Sequence, residues 1–433
     1  MNQQKENLRT VLFKLMSLIA AASLITACNR SPSEVSTQIV VEVLPSPAPV
    51  GSLVPQVSAM HDGSTILSWF EPRPDSGYTF RMAVYRKDEW SAPQTIVSDT
   101  RMTMFSAVLP SVASFRDGTL LSHWDIHVPG DADPYSNLIH VARSRDGGQS
   151  WSTPLVPHRD NVSGQHSFVS TFPASDSLGL VWLDARRQRY IPPPPGASAD
   201  EAQWHGNIGL QYTTIASNGG LGAEATIDSM TCECCPTAAA MTSRGPVVVY
   251  RDRQPAEREV HFGLSEIRDI HLIRLEGGRW RSPVRVNADN WLVTACPDNG
   301  PAVDAEGERV AVAWWTAAGD SPMVKIAFSE NAGNSFGAAL RLDQGNGDGQ
   351  VTVALLGEGA IVGWLEQGET WARWVAPDGR MSAMVSLGPS PHRSRLPRWL
   401  ASDGSLFAVW TSKTANDATQ VRVSQLRLIT SAR

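Results

Sequence analysis

The chain is short of cysteine, of long apolar runs and of clustered positive charge, and each shortage excludes something. Beyond the first 30 residues no stretch is apolar for long enough to cross a bilayer as a helix. No basic run occurs and the formal net charge is -6, which argues against nucleic acid as a partner. Amphipathic stretches of helical period are missing, so the periodicity points to strands. Five cysteines are present, and past Cys28 they are Cys232, Cys234, Cys235 and Cys296. With 18% charged and 42% hydrophobic residues, the composition is otherwise ordinary for a globular protein.

What is present begins with a targeting segment. Lys5, Arg9 and Lys14 precede an apolar run from Leu15 to Ile25, which ends in Leu24-Ile25-Thr26-Ala27-Cys28. This resembles a bacterial lipoprotein signal, in which small residues precede the cysteine that becomes the acylated N-terminus. The resemblance implies a signal over 1–27, lipid on Cys28, and a Pro/Ser-rich tether over 28–50. Asn29 in the position after the cysteine implies the outer membrane of a Gram-negative envelope. A leashed monomeric domain over 51–433 is expected, in an oxidising compartment where four cysteines form two disulfides or are held reduced by a metal.

A repeat organises that domain. A short strand, a Gly-containing turn and an apolar strand ending in an aromatic recur seven times: Pro55 to Trp69, Pro110 to Trp124, Ser167 to Trp182, Pro236 to Tyr250, Pro301 to Trp314, Val351 to Trp364 and Pro397 to Trp410. Further strand-like runs lie between the copies, such as Phe80 to Tyr85, Ile208 to Tyr212 and Val324 to Phe328. The pattern predicts an all-β fold, a β-propeller of four-stranded blades, with seven blades favoured over six. The last copy has three obvious strands, and residues 38–44 are the candidate for its fourth. An aromatic repeated in every copy is expected to pack between blades.

Ser144-Arg-Asp146-Gly-Gly148-Gln-Ser-Trp151 has the Ser-x-Asp-x-Gly-x-x-Trp form of the Asp-box, and Ser329-Glu-Asn331-Ala-Gly333-Asn-Ser-Phe336 is a variant of it. With the repeat, these boxes make the chain similar to the sialidase-like (BNR-repeat) propellers. Physically the box is a hairpin staple, in which the Asp or Asn oxygen accepts backbone N–H bonds, Gly takes positive φ and the aromatic is buried. The resemblance implies the fold and, as one activity, exo-sialidase-type hydrolysis of acidic glycans. The Arg-Ile-Pro motif of sialidases is missing, and Phe80-Arg81-Met82 stands in the early strand.

Propeller geometry sends the stretches before each copy and after each aromatic to one face, here called the top. Met102 and Met104, His166, Cys232, Cys234, Cys235, Cys296 and His392 precede copies. Thiolate, imidazole and thioether together suit copper(I), and thiolate with imidazole suits zinc. The four cysteines, with His166 as an extra ligand, are therefore a candidate metal or redox site, against two disulfides as the alternative. After the aromatics come Asp125 and His127, then Asp184 with Arg186 and Arg187, then Arg251, Asp252 and Arg253. Arg186, Arg187 or Arg253 could clamp a substrate carboxylate, with Asp184 or Asp252 as acid/base. The same residues could instead form Arg–Asp pairs that tie blades together. Long insertions at 126–135, 187–204 and 254–266 also reach this face, where a glycan or protein ligand is expected.

Overall fold

The computed structural model describes residues 36–102, 109–198, 203–255, 266–293, 296–390, 397–402 and 404–431. The signal, Cys28, Met104 and His392 lie outside the described residues. The compact unit spans Ile39–Leu428.

Seven antiparallel sheets make the blades, so the six-blade alternative is excluded. The first blade is Leu53–Ala59, Thr65–Pro72 and Tyr78–Arg86, with Gln94–Asp99 outermost. The second is Ser111–Ser114, Leu120–His127 and Asn137–Ser144, with a single bridge from Val141 to Leu155 at its outer edge. His166–Ala174, Ser177–Asp184, Gly209–Ala216 and Ala225–Asp228 form the third. The fourth runs from Ala238–Thr242 through Gly245–Arg251 and Ile270–Glu276 to Val284–Arg285. The fifth starts at Ala302–Glu306 and the sixth at Gly347–Leu356. In the seventh, Arg398–Ser402, Ser405–Lys413 and Thr419–Ser431 are joined by Ser36–Leu44, which takes the outer position. Pairing the earliest strand with the latest closes the ring by hydrogen bonds rather than leaving two exposed edges.

The repeated aromatics explain why the blades adhere. Trp69, Trp124, Trp182, Tyr250, Trp314, Trp364 and Trp410 are all buried. Each packs against the blade before it: Trp124 with Phe70 and Phe80, Trp182 with Leu121 and Ile139, Trp314 with Val247 and Leu272. Trp69 meets Val409 and Val421 of the last blade, so the pattern continues around the ring. A large flat ring covers the most apolar area per residue at such a joint.

Both boxes act as staples. The Asp146 carboxylate accepts from the Ser150 hydroxyl, from the Ser150 amide at 2.9 Å and from Ser144 Oγ at 2.7 Å, and these bonds hold its carboxyl down at about 2. Asn331 repeats the arrangement with Ser329 and Ser335. Gly148 and Gly333 take φ of 95° and 80°, while Trp151 and Phe336 pack onto the clusters shared with the preceding blades.

Candidate functional site

On the top face a cleft of about 700 Å³ opens over the second to sixth blades. Its wall carries Tyr135, Phe168 and Trp204, and its polar lining comes from Asn137, Gln165, Gln188 and Gln350. Asp133, Glu233 and Asp298 are its ionisable side chains, and Cys234 and Cys296 complete one side. Among the described residues no Lys or Arg lines it.

Local backbone geometry builds this lining. Inner strands carry bulges at Ser167/Ser170 and Gly349/Thr352, and the non-glycine residues Phe168 and Gln350 there adopt φ of 61° and 56°. A bulge of this kind re-aims a side chain at the rim of a sheet. The strained Gln350 is held by its own amide, which donates to Asn299 Oδ1 at 2.7 Å, and by Nε2 donating to the Asp298 carbonyl at 2.9 Å. The insertion after the third blade's aromatic forms a hairpin, Gln188–Ile191 with Gln203–Gly206. Its strand stops before Pro192, as a residue without an N–H requires. The hairpin sets Trp204 beside Tyr190 and Tyr135, at ring separations of 5.1 and 5.8 Å.

The cysteines divide into two pairs. Cys234 and Cys296 form a disulfide with Cα atoms 6.1 Å apart, joining the entrances of the fourth and fifth blades. Cys232 and Cys235 are free and buried, with sulfurs 2.9 Å apart. The four cysteines, expected as one metal or redox site or as two disulfides, are here one disulfide and one free pair. The sulfurs of Cys232, Cys234 and Cys235 nevertheless lie within 4.8 Å of one another, a spacing one metal ion can span. Burial alone would raise the Cys232 thiol, but its hydrogen bond with Cys235 and the guanidinium of Arg268 hold it below the usual range. Arg268 Nη1 stands 3.5 Å from that sulfur. Burial and the neighbouring Cys232 push Cys235 well up.

His166 does not join the cysteines. Its Nδ1 faces the carbonyls of Asn137 and Gly164, each at 3.1 Å, and its Nε2 lies 2.9 Å from Asp160. Burial would lower this imidazole, yet the Asp160 and Asp184 carboxylates outweigh it and hold the pKa above the ordinary value. His158 stacks on it at 3.8 Å and bonds the other Asp160 oxygen at 3.0 Å. His158, Asp160 and His166 form a second group whose ligand atoms fall within 4.8 Å. Sequence reasoning missed His158 and Asp160, which lie in the loop before the third blade and carry no pattern of their own.

The candidate catalytic residues are engaged with one another. Asp184 is fully buried, accepts from Trp182 Nε1 at 2.8 Å and pairs with Arg186 at 2.8 Å. Arg186 also reaches Glu224 at 3.2 Å. Arg253 is held by Glu266 at 2.6 Å and Glu233 at 3.4 Å, and Arg268 shares both carboxylates. Arg187 is exposed and does not line the cleft. Asp252 is buried near Asp228, and its carboxyl is raised to about 7, by burial first and then by that neighbouring charge. It accepts from Gln254 Nε2 at 3.0 Å and lies off the cleft lining. Arg186 and Arg253 with their acids therefore form a network of pairs within the third and within the fourth blade, not one that ties blades together. A sequence signal for it existed: Trp69-x-Glu71, Trp182-x-Asp184 and Trp364-x-Glu366 each place an acid where the indole N–H can bond it, at 3.0, 2.8 and 2.9 Å.

Neither a protein-family model nor a curated protein sequence matches this chain. Among solved structures, a lectin from Burkholderia pseudomallei superposes with a TM-score of 0.55 at 10% identity, over 89% of this chain and 97% of the lectin. The polysaccharide lyase Uly1 gives 0.49 at 11% identity, covering 93% and 94%. An α-L-arabinofuranosidase from Fusarium graminearum gives 0.46 at 14% identity, covering 92% and 98%. At such identities the likeness is one of fold alone.

Proposed function

We propose that this is an envelope-tethered propeller whose top-face cleft binds a saccharide that is neutral or positively charged. The observation that carries this reading is the lining: four amide side chains, the carboxylates of Asp133 and Asp298, a Glu233 shared with Arg253 and Arg268, and a Tyr135–Trp204 pair, without a described Lys or Arg at the wall. An amide both donates and accepts, as a sugar hydroxyl does, and an indole face covers the apolar face of a pyranose. Hydrolysis of the sialidase type would need an arginine clamp open to the ligand, whereas Arg186 and Arg253 are each bound to two carboxylates. Binding is therefore favoured over hydrolysis, and acidic glycans fit this lining poorly. The same fold carries a lectin in Burkholderia pseudomallei. A glycan array probed with the purified chain, followed by calorimetry on any hit, tests the reading. Binding to no glycan, or only to sialosides, would overturn it.

The anchor belongs to the same proposal: acylation at Cys28 would present the cleft from a membrane surface, with the outer membrane as the site. Labelling cells with an alkyne fatty acid should mark the wild type and not Cys28→Ala.

A second reading places a soft metal ion at the cysteines, favoured by the grouped sulfurs of Cys232, Cys234 and Cys235. Opening the disulfide would add Cys296 and leave four thiolates, a set that copper(I) or zinc accepts. Elemental analysis before and after reduction tests it. Equal metal content in both, near zero, would remove the metal.

A further inference from the structure

We infer that the four cysteines form an internal dithiol–disulfide relay, in which the disulfide moves between the cleft pair Cys234–Cys296 and the buried pair Cys232–Cys235. The two pairs differ in surroundings. Cys296 is exposed and lines the cleft with Cys234, whereas Cys232 and Cys235 are each 1% exposed. Cys232 and Cys235 stand in a Cys-x-x-Cys spacing with touching sulfurs, the arrangement that favours a thiolate on the first cysteine. That sulfur is 3.9 Å from Cys234 Sγ, and Arg268 lies beside it as a counter-charge. A thiolate this close to a disulfide sulfur is placed for exchange.

The step balances without a co-reactant. The Cys232 thiolate attacks Cys234 Sγ, the Cys234–Cys296 bond breaks, and Cys296 leaves as a thiolate that takes up a proton. Cys235, after losing its proton, then attacks Cys232 Sγ, forming Cys232–Cys235 and releasing Cys234 as a thiolate, which is protonated in turn. One disulfide and two thiols enter, and one disulfide and two thiols remain. The shift unstitches the entrances of the fourth and fifth blades and exposes two thiols to the cleft. Run in reverse, the relay returns the bond to exposed Cys296 at the cleft, where an external protein dithiol could reduce it, passing two electrons and two protons and leaving as its own disulfide. The relay does not depend on which ligand the cleft takes.

The test uses the full chain equilibrated across ratios of reduced to oxidised glutathione, acid-quenched, differentially alkylated and mapped by mass spectrometry. The relay predicts both Cys234–Cys296 and Cys232–Cys235 bonds in the wild type. Cys235→Ser should trap Cys232–Cys234 with Cys296 alkylated, and Cys232→Ser should show Cys234–Cys296 alone. Cys296→Ser alters only an exposed sulfur, which keeps the test usable if a buried variant fails to fold. Oxidation should there give a bond from Cys232 to Cys234 or Cys235. The relay is overturned if Cys234–Cys296 is the sole bond at every ratio in the wild type. Three free thiols in oxidised Cys296→Ser, or a metal held by all four sulfurs as purified, would also overturn it.

Discussion

The indole N–H of Trp182 donates to Asp184 at 2.8 Å, and the same carboxylate carries the bidentate pair to Arg186. A blade-packing aromatic, an acid and an arginine are thus one unit. Asp184 is 1% exposed, so truncating it leaves a buried indole N–H unpaired and takes from Arg186 the closer of its two carboxylates. Asp184→Ala should cost about 3 kcal/mol, the scale for breaking a buried pair. Thermal unfolding checks this, and a melting point equal to the wild type would show that the network is not structural.

The second box makes a prediction about packing. A Cβ on Gly333 would lie 2.7 Å from Leu272 Cδ2 of the preceding blade, and the residue sits at φ of 80°. Overpacking and the strained backbone together make Gly333→Ala destabilising by about 1–3 kcal/mol. A shift in denaturation midpoint without change in cleft binding is the expected result.

Asp252 gives a pH signature. Its folded value of about 7 lies above that of an unfolded aspartate, about 3.9. Between those values the folded chain holds a proton that the unfolded chain has lost. This residue's contribution therefore falls as pH rises through the window and is constant above it. Asp252→Asn keeps an acceptor for Gln254 and removes the titration. Its melting point relative to wild type should climb from pH 4 to pH 7 and then stay level. A gap unchanged between pH 5 and pH 8 would rule out the raised carboxyl.

For the cleft, Trp204 is the sharpest probe. It is 39% exposed and its ring meets Tyr135 and Tyr190, so its removal should spare the blades. Trp204→Ala should weaken saccharide binding roughly tenfold, typical of an aromatic anchor, with the melting point unchanged. Calorimetry against the best array hit provides the measurement.

The sequence by itself determined the ring and its joints. An Asp-box and its Gly turn are satisfied within a few residues, and the blade-packing aromatic recurs at one place in every copy, so Asp146, Gly148 and Trp314 are legible along the chain. The seven copies counted along the chain became seven blades for the same reason. The tertiary structure alone decided how the top face spends its charges. Whether Arg253 clamps a ligand or binds Glu266 depends on which loop ends meet, and those ends are 13 residues apart in the chain. Cys234 pairs with Cys296 across a separation of 62 residues, while its neighbours Cys232 and Cys235 stay free. Charge pairing and disulfide choice follow distance in space. Residue spacing reports that distance only inside a strand or turn, and the cleft is made where strand ends of five blades converge.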